Sequence, residues 1–178
     1  MPSSAKSISP EGRVAALQAR IDEALPALVD GRSPAVLYDA VEHVLRAGGK
    51  RVRPVLLLLV AEAHGASVDR ALPAALAVEV FHNFTLVHDD LMDDDEERRG
   101  GPTVHAKWDT GTAVLTGDLM MGLYYDLLGQ VEGTDGEALY SVYHPMVEDL
   151  CAGQALDASF ESEPAVSVDA YLDMIDQK

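Results

Sequence analysis

The sequence predicts an all-α fold, a bundle of helices, on three observations. Apolar residues recur at spacings of three and four along most of the 178 residues. Glycine and proline punctuate that pattern, and no turn dipeptide joins two alternating runs as it would in a β-hairpin. Neither a fixed-period repeat nor a low-complexity segment interrupts it.

The opening MPSSAKSISPEG carries no apolar core of a signal peptide, so residues 1–12 read as a disordered tail before a single domain over 13–178. Val14, Leu17, Ile21, Leu25 and Leu28 mark a first helix from Gly12 to Leu28, disturbed near its end by Pro26. Ser33 as cap and Pro34 at the first position start a second, which runs through Leu37, Val41, Val44 and Leu45 to the stop at Gly48-Gly49. A third helix spans Pro54 to His64, and a fourth starts near Arg70 and continues into an aspartate-rich stretch that ends at Gly100-Gly101-Pro102. Trp108 to Leu128, Ala138 to Phe160 and Val168 to Lys178 complete the set. Gly111, Gly117 and Gly122 lie near one side of their helix, where another helix could approach closely.

Against 30 acidic residues stand 13 basic ones, a formal charge of −17, which argues against nucleic acid and anionic membranes as partners. Arginine outnumbers lysine, and the acidic excess suits a halophilic cytosol where salt screens self-repulsion. Cys151 is the single cysteine, which excludes an internal disulfide and reads as a small buried apolar group. The longest apolar run, Val55 to Ala61, is too short to span a bilayer. No membrane insertion and a cytoplasmic location are therefore expected.

The chemistry concentrates in His82 to Arg99, HNFTLVHDDLMDDDEERR. At about 100° per residue, His82, Asp89 and Asp93 fall within roughly 20° of one line on a helix. Carboxylates at that spacing, with Asp90 beside them, repel one another, so a cation is expected between them. Hard oxygen donors without cysteine point to Mg²⁺, which keeps waters or phosphate oxygens in its remaining positions. The alternative is an acidic surface helix. Ahead of it, Gly48-Gly49-Lys50-Arg51-Val52-Arg53-Pro54 sets three cations at a helix N-terminus, an arrangement that suits a phosphate and is otherwise electrostatically poor. Its alternative is a solvated basic helix start. Arg98 and Arg99 follow the aspartates, where cations also favour a helix C-terminus. Glu79 and His82 form a Glu-x-x-His spacing found in di-iron bundles, but no second such pair occurs.

GGKRVRP, HNFTLVHDDLMDDDEERRGGPTVH, LTGDLMM and GQALD together closely resemble the trans-isoprenyl diphosphate synthases of the polyprenyl synthetase family, archaeal geranylgeranyl diphosphate synthases above all. The resemblance implies a homodimeric, Mg²⁺-dependent prenyltransferase that joins isopentenyl diphosphate to an allylic diphosphate: dimethylallyl, geranyl or farnesyl. By motif position it implies that Asp89 and Asp93 bind Mg²⁺, with Asp90 in the same catalytic motif. It assigns Lys50, Arg53, His82 and Arg99 to isopentenyl diphosphate, Arg98 and Lys178 to the allylic diphosphate, and Gln154 and Asp157 to supporting contacts on a facing helix. Phe84 and Thr85, five and four residues before Asp89, occupy the positions that set product length, and one aromatic there resembles enzymes of twenty-carbon product. A second aspartate-rich motif, which the family carries on a later helix, does not occur in these residues, so little synthase activity and an exposed apolar face are expected of the chain alone. A non-catalytic subunit of a heteromeric prenyl synthase is the rival reading. A terpene cyclase has no use for the isopentenyl site.

Overall fold

The computed structural model describes residues 9–178, and among these the chain forms eight helices and one short strand pair. The expected tail lies outside the described residues as far as position 8. From Pro10 the chain is already helical, because Ser9 caps the first turn by accepting a hydrogen bond from the Gly12 N–H and Pro10 occupies the first helical position.

The chain divides into two compact units, one ending at Glu132 and one spanning 133–178. In the first, helix α1 (Pro10–Ala27) buries Leu17, Ile21 and Leu25, as the periodicity predicts. Helix α2 (Ala35–Arg46) buries Ala40, Val41 and Leu45. It starts one residue later than expected: Pro34 is extended at the cap and no side chain caps the helix, so Ser33 does not serve. Helix α3 (Val52–Ala63) begins two residues early, which sets Pro54 in the first turn, where its missing N–H costs nothing.

Helix α4 (Val68–Met92) is the centre of this unit, packed against α6 (Thr110–Gly129) on one side and α3 on another. Its first half presents Ala71, Ala74, Ala75 and Ala77, small residues that let the neighbours close in, and its second half buries Val80, Phe81, Phe84 and Val87. A helix buried nearly all round has little amphipathic contrast, which is why its sequence is apolar on more than one face. From α6 come Ala113, Met120, Leu123, Tyr124, Leu127 and Leu128. Of the three glycines singled out on this helix only Gly117 meets a neighbouring helix, at the His88 ring of α4. Gly122 has open space beside it and Gly111 faces only the capping Asp109.

Between α4 and the short helix α5 (Val104–Lys107), strands β1 (Glu97–Arg98) and β2 (Gly101–Pro102) pair antiparallel. The sequence reading found no hairpin here. Two-residue strands carry no alternation to detect, and the turn residues are Arg99 (φ 53) and Gly100 (φ 79) rather than Asn-Gly. On α3, Val52, Leu56 and Val60 form a row one turn apart that is exposed.

In the second unit, α7 (Gly136–Phe160) packs on α8 (Val168–Gln177), which buries Met174. Their closest approach is at Gly153, where an added Cβ would lie 3.0 Å from the Gln177 backbone and the Lys178 side chain. Cys151 is exposed, not buried as expected: Gly153 marks the face of α7 that meets α8, and a residue two positions away lies about 200° round the helix from it. Among the described residues no helix is long and apolar enough to cross a membrane.

Candidate functional site

The row His82, Asp89, Asp93 survives in the structure to the end of α4. The Asp93 N–H donates to the Asp89 carbonyl at 2.9 Å, so Asp93 caps the helix with near-helical geometry and its side chain leaves one turn beyond that of Asp89. Asp94, with φ 56, then turns the chain away. Asp90 is displaced by one helical step and is buried.

A cationic side chain, Arg98, lies against part of this acidic stretch. Arg98 pairs with Asp90 through its Nε, and its Nη2 lies 3.6 Å from Asp95 and 4.0 Å from Asp89. Arg98 and Arg99 are therefore not in the last turn of the helix as expected. The helix ends at Met92, and the hairpin folds Arg98 back over the aspartates while Arg99 reaches the Gly48 carbonyl. Burial pushes the Asp90 carboxyl above its ordinary value, against the opposing pull of Arg98.

On the other side of His82 a cleft of about 530 Å³ is lined by Gly49, Lys50, Arg51, Arg53, His82 and Arg99, among others. Lys50 and Arg53 are exposed at its mouth. Arg51, grouped with them on sequence, is buried: its Nη1 donates to Glu79 at 2.7 Å, its Nε to Asp22 at 2.8 Å and its Nη2 to the Leu45 carbonyl at 3.0 Å. A guanidinium so completely bonded belongs to the frame and not to a ligand. Arg99 donates to the Gly48 carbonyl and approaches the Asn83 Oδ1 at 3.5 Å. Gly49, with φ 144, admits the Arg99 guanidinium to within 3.3 Å of where a Cβ would stand.

The cleft is electropositive. Burial holds the His82 imidazole below its ordinary value, Arg53 adds to this, and Arg99 and Arg98 add less, while Glu79 opposes them. Arg99 is likewise lowered, by burial and then by Arg51. The arginine contributions to these shifts reflect cationic surroundings that attract an anion, whereas the larger burial contribution disfavours charge of either sign.

Phe84 and Thr85 diverge. Phe84 is buried beside Phe81, whose ring meets Tyr124 of α6, and it meets the His88 ring edge-on at 5.1 Å. Thr85 is half-buried, and its hydroxyl donates to the His82 carbonyl at 2.8 Å. In the second unit, Lys178 Nζ lies 2.5 Å from Asp157, and Gln154 is half-buried next to Gly153 on α7. Sequence reasoning missed Asn83 and gave Glu79 only a rejected metal role. Two polar residues one turn apart on an apolar helix are the signal, since buried polar groups need partners.

Residues 34–178 match the polyprenyl synthetase family over this whole set of motifs. The chain belongs to the polyprenyl synthetase family. It is 42% identical over 170 residues to the geranylgeranyl diphosphate synthase of Methanosarcina mazei, covering 94% of this chain and 51% of that protein. Among solved structures, a geranylgeranyl pyrophosphate synthase superposes with a TM-score of 0.87 at 45% identity, over 93% of this chain and 50% of that one. The synthetase of the archaeon Geoglobus acetivorans gives 0.88 at 39%, over 93% and 55%. Further relatives are named geranylfarnesyl and farnesyl diphosphate synthases. The fold is thus the all-α isoprenoid synthase bundle in part, and the chain spans about half the length of the relatives it matches.

Proposed function

We propose that this chain supplies the isopentenyl diphosphate site and the first aspartate wall of a Mg²⁺-dependent trans-prenyltransferase, with geranylgeranyl diphosphate as product. The observation that carries the reading is the contrast along one helix: an electropositive cleft at His82 gives way within two turns to the carboxylates of Asp89 and Asp93. The family match across residues 34–178 supports treating both units as parts of one synthase domain.

Lys50, Arg53, Arg99 and His82 would hold the isopentenyl diphosphate, arginine by two-point contacts and lysine as a point charge. Among the described residues no three metal-ligating side chains converge, and the two carboxylates one turn apart fit an ion that completes its shell with phosphate oxygens and water. Asp89 and Asp93 would hold it, and the bound ion supplies charge stabilisation to the departing diphosphate. Arg98, released from Asp90, is positioned to take oxygens of the same group. Ionisation of the allylic carbon–oxygen bond leaves a carbocation, which adds to the isopentenyl double bond. A proton is then lost to the released diphosphate. The apolar flanks of α4 exclude water from the cation. Gln154 and Asp157 keep the supporting roles read from their motif, Lys178 would contact the allylic diphosphate, Phe84 and Thr85 limit chain length, the acidic surface suits a salt-rich cytoplasm, and the family match supports a homodimeric assembly.

Calorimetric titration tests this. Isopentenyl diphosphate is expected to bind without metal and to need Lys50 and Arg53, whereas farnesyl diphosphate needs Mg²⁺ together with Asp89 and Asp93. Binding of neither ligand, or binding indifferent to those residues, would overturn the reading.

A further inference from the structure

Glu79 is buried and lines the cleft beside His82, and its carboxylate is hydrogen-bonded to two residues that are not assigned to substrate. Its Oε1 accepts from Arg51 at 2.7 Å and from the Asn83 amide at 3.2 Å. Each partner leads back to the cleft by a different route.

The first route runs through the backbone. Arg51 caps α3 in the left-handed region (φ 48), a conformation that costs a non-glycine residue free energy and persists only when the surroundings impose it. Here the three hydrogen bonds of its side chain impose it. Lys50, one residue before it, and Arg53, two residues after it, are thereby left exposed at the mouth of the cleft.

The second route runs through an amide. Asn83 donates from its Nδ2 to the Glu79 carbonyl at 2.8 Å as well as to the carboxylate. Both donors are thus committed to one side, and the Oδ1 faces the other way, toward Arg99. Arg99 closes the circuit by donating to the Gly48 carbonyl, in the same turn that Arg51 anchors.

We infer that Glu79 is a positioning residue for the isopentenyl diphosphate cleft, holding the turn before α3 through Arg51 and aiming Arg99 through Asn83. A buried ion pair is seldom better for stability than well-packed apolar groups, so its directionality is the gain. The cleft is assembled before ligand arrives, which lowers the ordering cost of binding. This inference rests on the function proposed above.

The test is calorimetric titration of the 178-residue chain with isopentenyl diphosphate, with thermal unfolding followed in parallel. Glu79→Gln removes a charge-assisted hydrogen bond and is expected to weaken binding about tenfold or more. Asn83→Leu, which keeps the Arg51–Glu79 pair and decides the matter if Glu79→Gln does not fold, is expected to weaken it several-fold. In the Arg99→Ala background nothing remains for Asn83 to aim, so there Asn83→Leu should change affinity less than twofold. Equal effects of Asn83→Leu with and without Arg99 would overturn the inference, because a purely structural role gives additivity. Unchanged affinity in both variants of a wild type that binds would overturn this inference alone. A wild type that binds no isopentenyl diphosphate would overturn the proposed function and this inference with it.

Discussion

Adding one methyl group at Gly117 tests the packing that carries Asp89. A Cβ there would lie 2.5 Å from Cδ2 and 2.8 Å from Cε1 of His88, and nearer still to Nε2. His88 immediately precedes Asp89, and its ring is held by Phe84 at 5.1 Å and by a 3.4 Å contact to the Val114 carbonyl. The ring therefore cannot rotate away without giving up both contacts. Overpacking of this kind costs about 1–3 kcal/mol. Replacing glycine by alanine in a helix interior returns about 1 kcal/mol. Gly117→Ala should therefore lower stability by roughly 0–2 kcal/mol. In a His88→Ala background the clash vanishes and only the propensity gain remains, so the same substitution should stabilise by about 1 kcal/mol. Urea unfolding of the four proteins measures the coupling, expected at about 1–3 kcal/mol. Additivity to within about 0.5 kcal/mol would refute close approach of α4 and α6 at this point.

Three further outcomes are expected. Because His82 titrates below its ordinary value in the folded cleft, its contribution to stability is complete above about pH 6.5 and is lost as pH falls from there through the folded value. Isopentenyl diphosphate should reverse the shift, so NMR titration of the imidazole should move upward on binding; an unmoved value would place the ligand elsewhere. Phe84→Ala should cost about 3 kcal/mol in urea unfolding for loss of a buried ring, and in an active assembly it should lengthen the product seen by chromatography; unchanged length would remove Phe84 from that role. Chelation of divalent ions should abolish farnesyl diphosphate binding but leave isopentenyl diphosphate binding intact, and equal loss of both would contradict two separate sites.

The all-α fold and the helix order were legible in the residues because periodicity is local; the caps are local too, though the one read from the sequence, Ser33, does not serve. Ser9, Ser67, Asp109, Asp135 and Ser167 each accept a first-turn N–H within their own segment, and no partner from elsewhere is required. The row of His82, Asp89 and Asp93 was legible for the same reason: helical geometry alone fixes it. What the sequence could not supply was the sorting of like residues. Lys50, Arg51 and Arg53 are three neighbouring cations, and only the packing of α1, α3 and α4 turns Arg51 inward to Asp22 and Glu79 while leaving the others at the surface. Arg98 reached Asp90 only through a hairpin too short to leave a pattern. Of Gly111, Gly117 and Gly122 on α6, tertiary contact selected Gly117, because which face meets a neighbour depends on the neighbour. Local hydrogen bonds and helical phase were thus determined by the sequence itself, whereas the division of charges between frame and cleft was decided by burial, which depends on segments far apart in the chain.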